Sequence, residues 1–206
     1  YFIQKSINKG ADLILTPEVT SIVTNNKNKL LKNSYTMKSD LFIKETKSLS
    51  KKFKKWILIG SLPIKDGDKL KNRSIMIGPK GKVISYYDKI NMFDVNLKKK
   101  EVHKESKIYK AGKKLVSIKL PWGKLGLSIC FDLRFPEHYR RLSKKKLNFI
   151  SVPSAFTKTT GQKHWHTLLR ARAIENFCYI FAPAQTGKNT KKRETYGHSM
   201  IISPDG

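Results

Sequence analysis

The stretch Leu127-Ser-Ile-Cys130-Phe-Asp-Leu-Arg134-Phe-Pro-Glu137 is a short apolar run that stops at a cysteine, turns through polar residues and enters a Pro-Glu helix start. Such a run predicts a buried strand, and Pro136 stands at a favoured first helical position. In an open α/β sheet the reactive groups gather where strands end and loops begin. Cys130 is therefore predicted at the rim of a sheet, beside backbone N–H groups that the turn leaves free. The plain alternative is a structural cysteine, since free Cys is among the most buried residue types.

Two other segments share this layout of an apolar run closed by one charged residue. Asp12-Leu-Ile-Leu-Thr-Pro17-Glu18 is a strand pattern broken by Pro17, which leaves Glu18 at its end. Val83-Ile-Ser-Tyr-Tyr-Asp-Lys89 runs into the loop Ile90-Asn-Met-Phe-Asp94. Taken singly, Glu18 reads as a solvated loop carboxylate and Lys89 as one lysine among many. Taken together with Cys130 they form a chemical set. A thiol with a pKa near 8.5 is only a few per cent thiolate at neutral pH and needs a base or a cation beside it. Glu18 can take that proton, and Lys89 can hold the negative charge that grows on a tetrahedral oxygen.

The motifs Thr16-Pro-Glu18, Tyr87-Asp-Lys89-Ile and Cys130-Phe-Asp-Leu-Arg-Phe-Pro-Glu137 resemble the nitrilase superfamily of carbon-nitrogen hydrolases, whose Glu-Lys-Cys triad has this chain order. The resemblance continues through Pro153-Ser-Ala-Phe-Thr-Lys-Thr-Thr-Gly161, His164-Trp-His-Thr-Leu-Leu-Arg-Ala-Arg-Ala-Ile-Glu175 and Ala182-Pro-Ala-Gln-Thr-Gly187, covering essentially the whole chain. It is nearest to the branch of deaminated-glutathione amidase and omega-amidase. It implies a four-layer α-β-β-α sandwich, dimers that stack helix against helix, no metal or organic cofactor, and acyl transfer through a Cys130 thioester. It also implies a second glutamate that orients the triad, matched by Glu105 in Lys104-Glu-Ser-Lys-Ile-Tyr-Lys-Ala-Gly112, with Glu101 the weaker match. Phe131 stands where Tyr is common, which leaves a backbone N–H from residue 131 available to the oxyanion. His166 stands where the pattern normally has Glu.

Substrates of the resembling branch are short amides bearing a carboxylate. Arg134, just past Cys130, is the cation expected to read that anion through paired hydrogen bonds; an ion pair with Asp132 or Glu137 is the structural alternative. Phe156, Thr157 and Thr159 are expected to line the same mouth. Arg170 and Arg172 read instead as the polar side of a packed helix whose apolar set is Trp165, Leu168, Leu169 and Ala173. Rival readings are an N-carbamoyl or aliphatic amide hydrolase, a nitrile hydrolase, a Cys-His hydrolase using one of His103, His138, His164, His166 or His198, and a non-catalytic binding protein.

With 206 residues, 39% of them hydrophobic, the chain reads as one carbon-nitrogen hydrolase domain over residues 1–206. No run of eighteen apolar residues and no charged-then-apolar leader occurs, so no membrane span or signal peptide is predicted. Two cysteines, Cys130 and Cys178, are too few for a disulfide framework, and a required free thiol fits the cytoplasm. Cys178 reads as core. The formal charge of +28 raises nucleic-acid binding. Yet the excess is mostly lysine, spread along the chain with abundant Asn and Ile, and the runs Lys98-Lys-Lys100 and Lys144-Lys-Lys146 read as solvated loop or helix ends.

Strands are predicted at 12–16, 56–61, 73–77, 83–87, 115–120, 125–130, 148–152, 178–182 and 198–202, and helices at 34–55, 136–145 and 164–176. The link Gly78-Pro-Lys-Gly81 predicts a hairpin. Residues 1–10 read as the second half of a helix closed by Gly10. Against the resemblance, an opening strand and a C-terminal partner strand are missing, so the chain is expected to be part of a longer domain, truncated at both ends.

Overall fold

The computed structural model describes residues 1–98, 101–190 and 193–206; Lys99 and Lys100 of the first lysine run, and the side chains of Leu97, Lys98 and Glu101, lie outside the described residues. In chain order the elements are α1 (Phe2–Asn8), β1 (Leu13–Leu15), α2 (Lys27–Lys32), α3 (Leu41–Phe53), β2 (Trp56–Asp66), β3 (Lys69–Gly78), β4 (Lys82–Asp88), β5 (Asp94–Lys98) and β6 (Glu101–Lys104). They continue with β7 (Ser117–Leu120), β8 (Gly123–Leu127), α4 (Pro136–Ser143), β9 (Phe149–Ser151), α5 (Lys158–Asn176), β10 (Tyr179–Ala182), β11 (Thr186–Thr190), β12 (Arg193–Tyr196) and β13 (Met200–Ile202).

One sheet has the order β1-β2-β3-β4 and the other β13-β10-β9-β8-β7. Side-chain parity shows how they stack. Leu58 of β2 and Met76 of β3 join Leu125 and Leu127 of the second sheet in one core, while Ile59, Ile75 and Ile77 pack on Ile43 of α3. Ile7 of α1 and Ile57 extend that outer layer. On the far side of the second sheet lie Tyr139 of α4 and Trp165, Leu169 and Ala173 of α5. The result is four layers, α-β-β-α. The nearly continuous burial of β2 and β3 is what a strand covered on both faces requires.

Local chemistry accounts for where elements start and stop. Helix α3 begins at Leu41, not Ser34, because Asp40 caps it by accepting the Ile43 N–H at 3.0 Å. Upstream, Asn26 caps the separate α2, and the Ser34 hydroxyl closes it on the Leu30 carbonyl. Tyr35 leaves the helix to bridge Ile64. Helix α5 begins six residues ahead of His164, at Lys158 behind the Thr157 cap, because its first turn faces a cavity and carries no apolar period. Strand β8 ends at Leu127 since Cys130 has φ +46° and opens a 3₁₀ turn through Arg134. The hairpin at Gly78–Gly81 forms as read, with β3 antiparallel to β4. The hairpins β5-β6 and β11-β12 were not legible: β5 alternates only at Val95 and Leu97, and β6, β11 and β12 carry no sustained alternation. Among the described residues no helix is long and apolar enough to cross a membrane.

One glycine decides how the first sheet meets the loop after β1. The β2-β3 register shifts between Ile59 and Leu62, and a Cβ at Gly60 would lie 1.9 Å from the Thr16 carbonyl oxygen and 2.4 Å from that of Pro17. Only a bare backbone lets residues 16–20 lie on β2. There the Thr16 hydroxyl accepts the Gly60 N–H, and Ser61 accepts the N–H groups of Val19 and Thr20. Because the overlap is with backbone, Gly60→Ala is expected to cost about 1–3 kcal/mol. That lowers Tm by roughly 3–10 °C, read by circular dichroism; an unchanged Tm would show that the loop is not seated as described.

Candidate active site

Glu18, Lys89, Glu105 and Cys130 come from four separate places in the chain and meet at one point. Glu18 follows β1 on the loop seated by Gly60. Lys89 follows β4, its N–H donating to the Asn72 carbonyl and its carbonyl accepting the Gly112 N–H. Gly112 must lack a side chain, since a Cβ there would stand 2.1 Å from the Asp88 carbonyl oxygen. Glu105 opens a 3₁₀ turn after β6. Lys89 Nζ lies 2.9 Å from Glu18 Oε1 and 2.9 and 3.1 Å from the two oxygens of Glu105. Glu18, Lys89 and Cys130 are all buried.

Neutral donors complete the cluster. Asn72 Nδ2 donates to Glu18 at 2.9 Å and to Glu105 at 3.1 Å. The Ala155 N–H donates to the second oxygen of Glu18 and the Phe93 N–H to Glu105. Gln185 holds the Glu18 carbonyl. These contacts set the ionisation. Burial pushes Glu18 upward, but the Lys89 charge and hydrogen bonds from Lys89, Cys130 and Asn72 outweigh it and hold the carboxyl below its ordinary range. Burial opposes the Lys89 charge, yet Glu105 and Glu18 raise its pKa well above the usual value. The Cys130 thiol, buried and facing the Glu18 charge, is pushed well up. Both directions favour a neutral thiol beside an ionised carboxylate.

Cys130 is held from behind. Its N–H donates to the Pro153 carbonyl at 2.9 Å, and its positive φ is a conformation that non-glycine residues adopt at a cost. Asp132 secures the turn: its carboxylate accepts from Tyr87 Oη at 2.6 Å, from the Ile129 N–H, and from both nitrogens of Asn91. Arg172 Nη2 donates to the Leu133 carbonyl. Between the N–H groups of Cys130 and Asp132, both spent on carbonyls, the Phe131 N–H donates to no described residue.

A cavity of about 480 Å³ opens on the cluster, lined by Cys130, Phe131, Arg134, Phe156 and Thr157 as expected from the sequence. Thr159 is not on its wall; Thr160 is, because the first turn of α5 points that hydroxyl inward. Arg134 pairs with neither Asp132 nor Glu137: Asp132 is occupied as described, and Arg134 Nη1 lies 2.9 Å from His164 Nδ1. Arg172 is buried against Leu133 and Glu175 and is not on a polar face. Cys178 is core, as read. His166 packs its ring edge-on to Tyr196 and His198 and is not on the cavity wall. Asn72, Ala155 and Arg193 escaped the sequence reading, since nothing in their local patterns distinguishes them from ordinary strand or loop residues, and His164, named there only among five histidines of a Cys-His alternative, lies on the wall beside Arg134.

A four-layer sandwich that brings a thiol, a carboxylate and an ammonium together at its strand ends has the make-up of a thiol hydrolase. The carbon-nitrogen hydrolase family model matches residues 2–206, and the chain belongs to that family. It is 39% identical over 209 residues to a deaminated glutathione amidase of Synechocystis, covering 99% of this chain and 76% of the relative. The crystal structure of the Caenorhabditis elegans NitFhit protein matches with a TM-score of 0.90 at 36% identity, over 99% of this chain and 50% of that one. Saccharomyces cerevisiae Nit3, a member of branch 10 of the nitrilase superfamily, matches at 0.87 and 29%, over 100% and 74%.

Two outcomes follow from the ionisation pattern. Alkylation of Cys130 by iodoacetamide should still be accelerating at about pH 9, where a thiol of ordinary pKa has begun to level off; a plateau near pH 8 would contradict the raised pKa. Glu18 has a depressed folded pKa, so its stabilisation is present above the ordinary carboxylate value and is lost as pH falls through the folded one. Tm should therefore fall less steeply on acidification in Glu18→Gln than in the wild type, and parallel curves would contradict the pairing.

Proposed function

We propose that Cys130, Glu18 and Lys89 are the catalytic residues of an amidase that cleaves the C–N bond of small carboxylate-bearing amides. The observation that carries this reading is the buried thiol facing a carboxylate that is ion-paired to a buried lysine. Cys130 Sγ attacks the amide carbon while Glu18 takes the thiol proton. The tetrahedral oxyanion is held by Lys89 Nζ and the free Phe131 N–H, donors that are in place before charge develops. Glu18 returns the proton to the nitrogen, the C–N bond breaks, and ammonia or an amine leaves a thioester on Cys130. Water then attacks, Glu18 takes its proton, and collapse of the second tetrahedral intermediate releases the acid and the thiol. These side chains and water carry every step, so the route calls for no cofactor. Glu105 is a positioning residue: it shares Lys89 with Glu18 and so keeps the ammonium aimed at the oxyanion.

The two acids on the cavity wall are both committed to Lys89, whereas Arg134 has no acidic partner among the described residues. That balance supports anionic substrates, with Arg134 reading a carboxylate and Phe156 and Thr157 shaping the mouth. Deaminated glutathione and omega-amides such as 2-oxoglutaramate fit it, in keeping with the name of the Synechocystis relative. The need for a free thiol suits the reducing cytoplasm. The exposed apolar side chains Ile174, Phe177, Tyr179 and Ile201 support self-association as a homodimer or larger oligomer.

The test is ammonia release and intact mass over a panel of carboxylate-bearing amides. Cys130→Ala should lower turnover by about 10⁴-fold or more, and the wild type should carry an acyl adduct on Cys130 during turnover. Full activity in Cys130→Ala would sink the mechanism.

A further inference from the structure

Arg193, at the start of β12, is on the cavity wall and has no role in the mechanism just described. Its guanidinium donates from Nη2 to the Ala155 carbonyl at 3.2 Å, and its Nε is buried without an acceptor. A guanidinium does not lose its charge in a protein, and an enclosed charge is costly unless it is paired. No acid among the described residues pairs with it: Glu18 and Glu105 are taken by Lys89, and the adjacent Glu194 pairs with Lys158. The cavity thus holds a cation whose counter-charge no acid among the described residues supplies.

Its position says which part of a substrate it meets. Ala155 accepts from Arg193 through its carbonyl and donates to Glu18 Oε2 through its N–H at 2.9 Å. Arg193 is therefore one residue removed from the carboxylate that protonates the departing nitrogen. Arg134, by contrast, follows Cys130 on the 3₁₀ turn and faces His164 of α5. The two arginines come from different walls. The β12 strand is held in place by the Tyr196 N–H donating to the Phe156 carbonyl and by the Thr157–Thr195 bridge, so Arg193 is anchored to the same loop as Ala155.

The geometry points to Arg193 as a specificity-determining residue that reads an anionic group on the amine part of the substrate, favouring secondary amides whose leaving amine carries a carboxylate. This rests on the amidase reading above for the direction in which the amine leaves.

The experiment compares two amides with the same acyl group, N-glutarylglycine and N-glutaryl-methylamide, so that only the charge on the amine part differs. The wild type should prefer the first, and Arg193→Gln should lower that preference, as a ratio of kcat/KM, about 10- to 100-fold, the worth of a hydrogen bond to a charged group. Most of the change should lie in KM for N-glutarylglycine, and Arg193→Lys should restore part of it. An equal loss on both amides would mean that Arg193 only supports Ala155, and would overturn the assignment while leaving the amidase reading intact. A second readout does not require turnover. N-acetylglycine should slow alkylation of Cys130 by iodoacetamide in the wild type more than N-methylacetamide does, and the difference should vanish in Arg193→Gln. Equal protection by the two in the wild type would overturn the assignment even in a chain that hydrolyses no amide.

Discussion

The buried ammonium of Lys89, held between the carboxylates of Glu18 and Glu105, is the constraint around which the structure is arranged. Three charges taken out of water repay their desolvation only with near-ideal geometry and with the remaining oxygens satisfied. Asn72 and the N–H groups of Ala155 and Phe93 do this. In the mechanism proposed above, the same arrangement prepares the chemistry: it keeps Glu18 ionised to serve as the base, keeps Lys89 charged to meet an oxyanion, and leaves the thiol protonated until the carboxylate removes its proton.

Holding that cluster together requires close backbone contacts that ordinary side chains would prevent. Gly60 lets the loop bearing Glu18 lie on β2, and Gly112 lets its segment pass the end of β4 beside Lys89. Positive φ at Cys130 and at the β-branched Val19 marks strain at two of the strand ends, offset by the surrounding packing and hydrogen bonds. Asp132, fully buried and accepting from Tyr87, Asn91 and Ile129, fixes the turn that carries Cys130 without touching the cavity. The geometry of the cluster therefore depends on residues well outside it.

The charge of +28 has little to do with this interior. The acids that matter are few and paired inside the molecule, as Asp88 is with Arg73 and Lys71, while most lysines are exposed. Among the described residues the local balance within the cavity is set by a handful of groups: both acids on its wall are engaged by one lysine, and two arginines from different walls have no acidic partner. This local excess, and not the global one, bears on what the cavity accepts.

Glu18, Lys89 and Cys130 were legible in the chain because each closes an apolar run, and a strand end is a position that local pattern can mark. The hairpin at Gly78–Gly81 and the apolar stripe of Trp165, Leu169 and Ala173 were legible for the same reason: turn chemistry and periodicity are properties of adjacent residues. Asn72, Ala155 and Arg193 were not, because their roles are set by atoms from distant segments, such as the 137 residues between Ala155 and Glu18. Thr159 and Thr160 show the limit at its finest, since both suit a loop mouth and only the seating of α5 chooses between them. The sequence by itself determined the strand ends and the reactive groups they carry, while the order of layers was implied by the family resemblance of its motifs. Only the tertiary structure decided which backbone donors and cations reach those groups, because hydrogen bonds across the core depend on where the strands stack and not on what stands next in the chain.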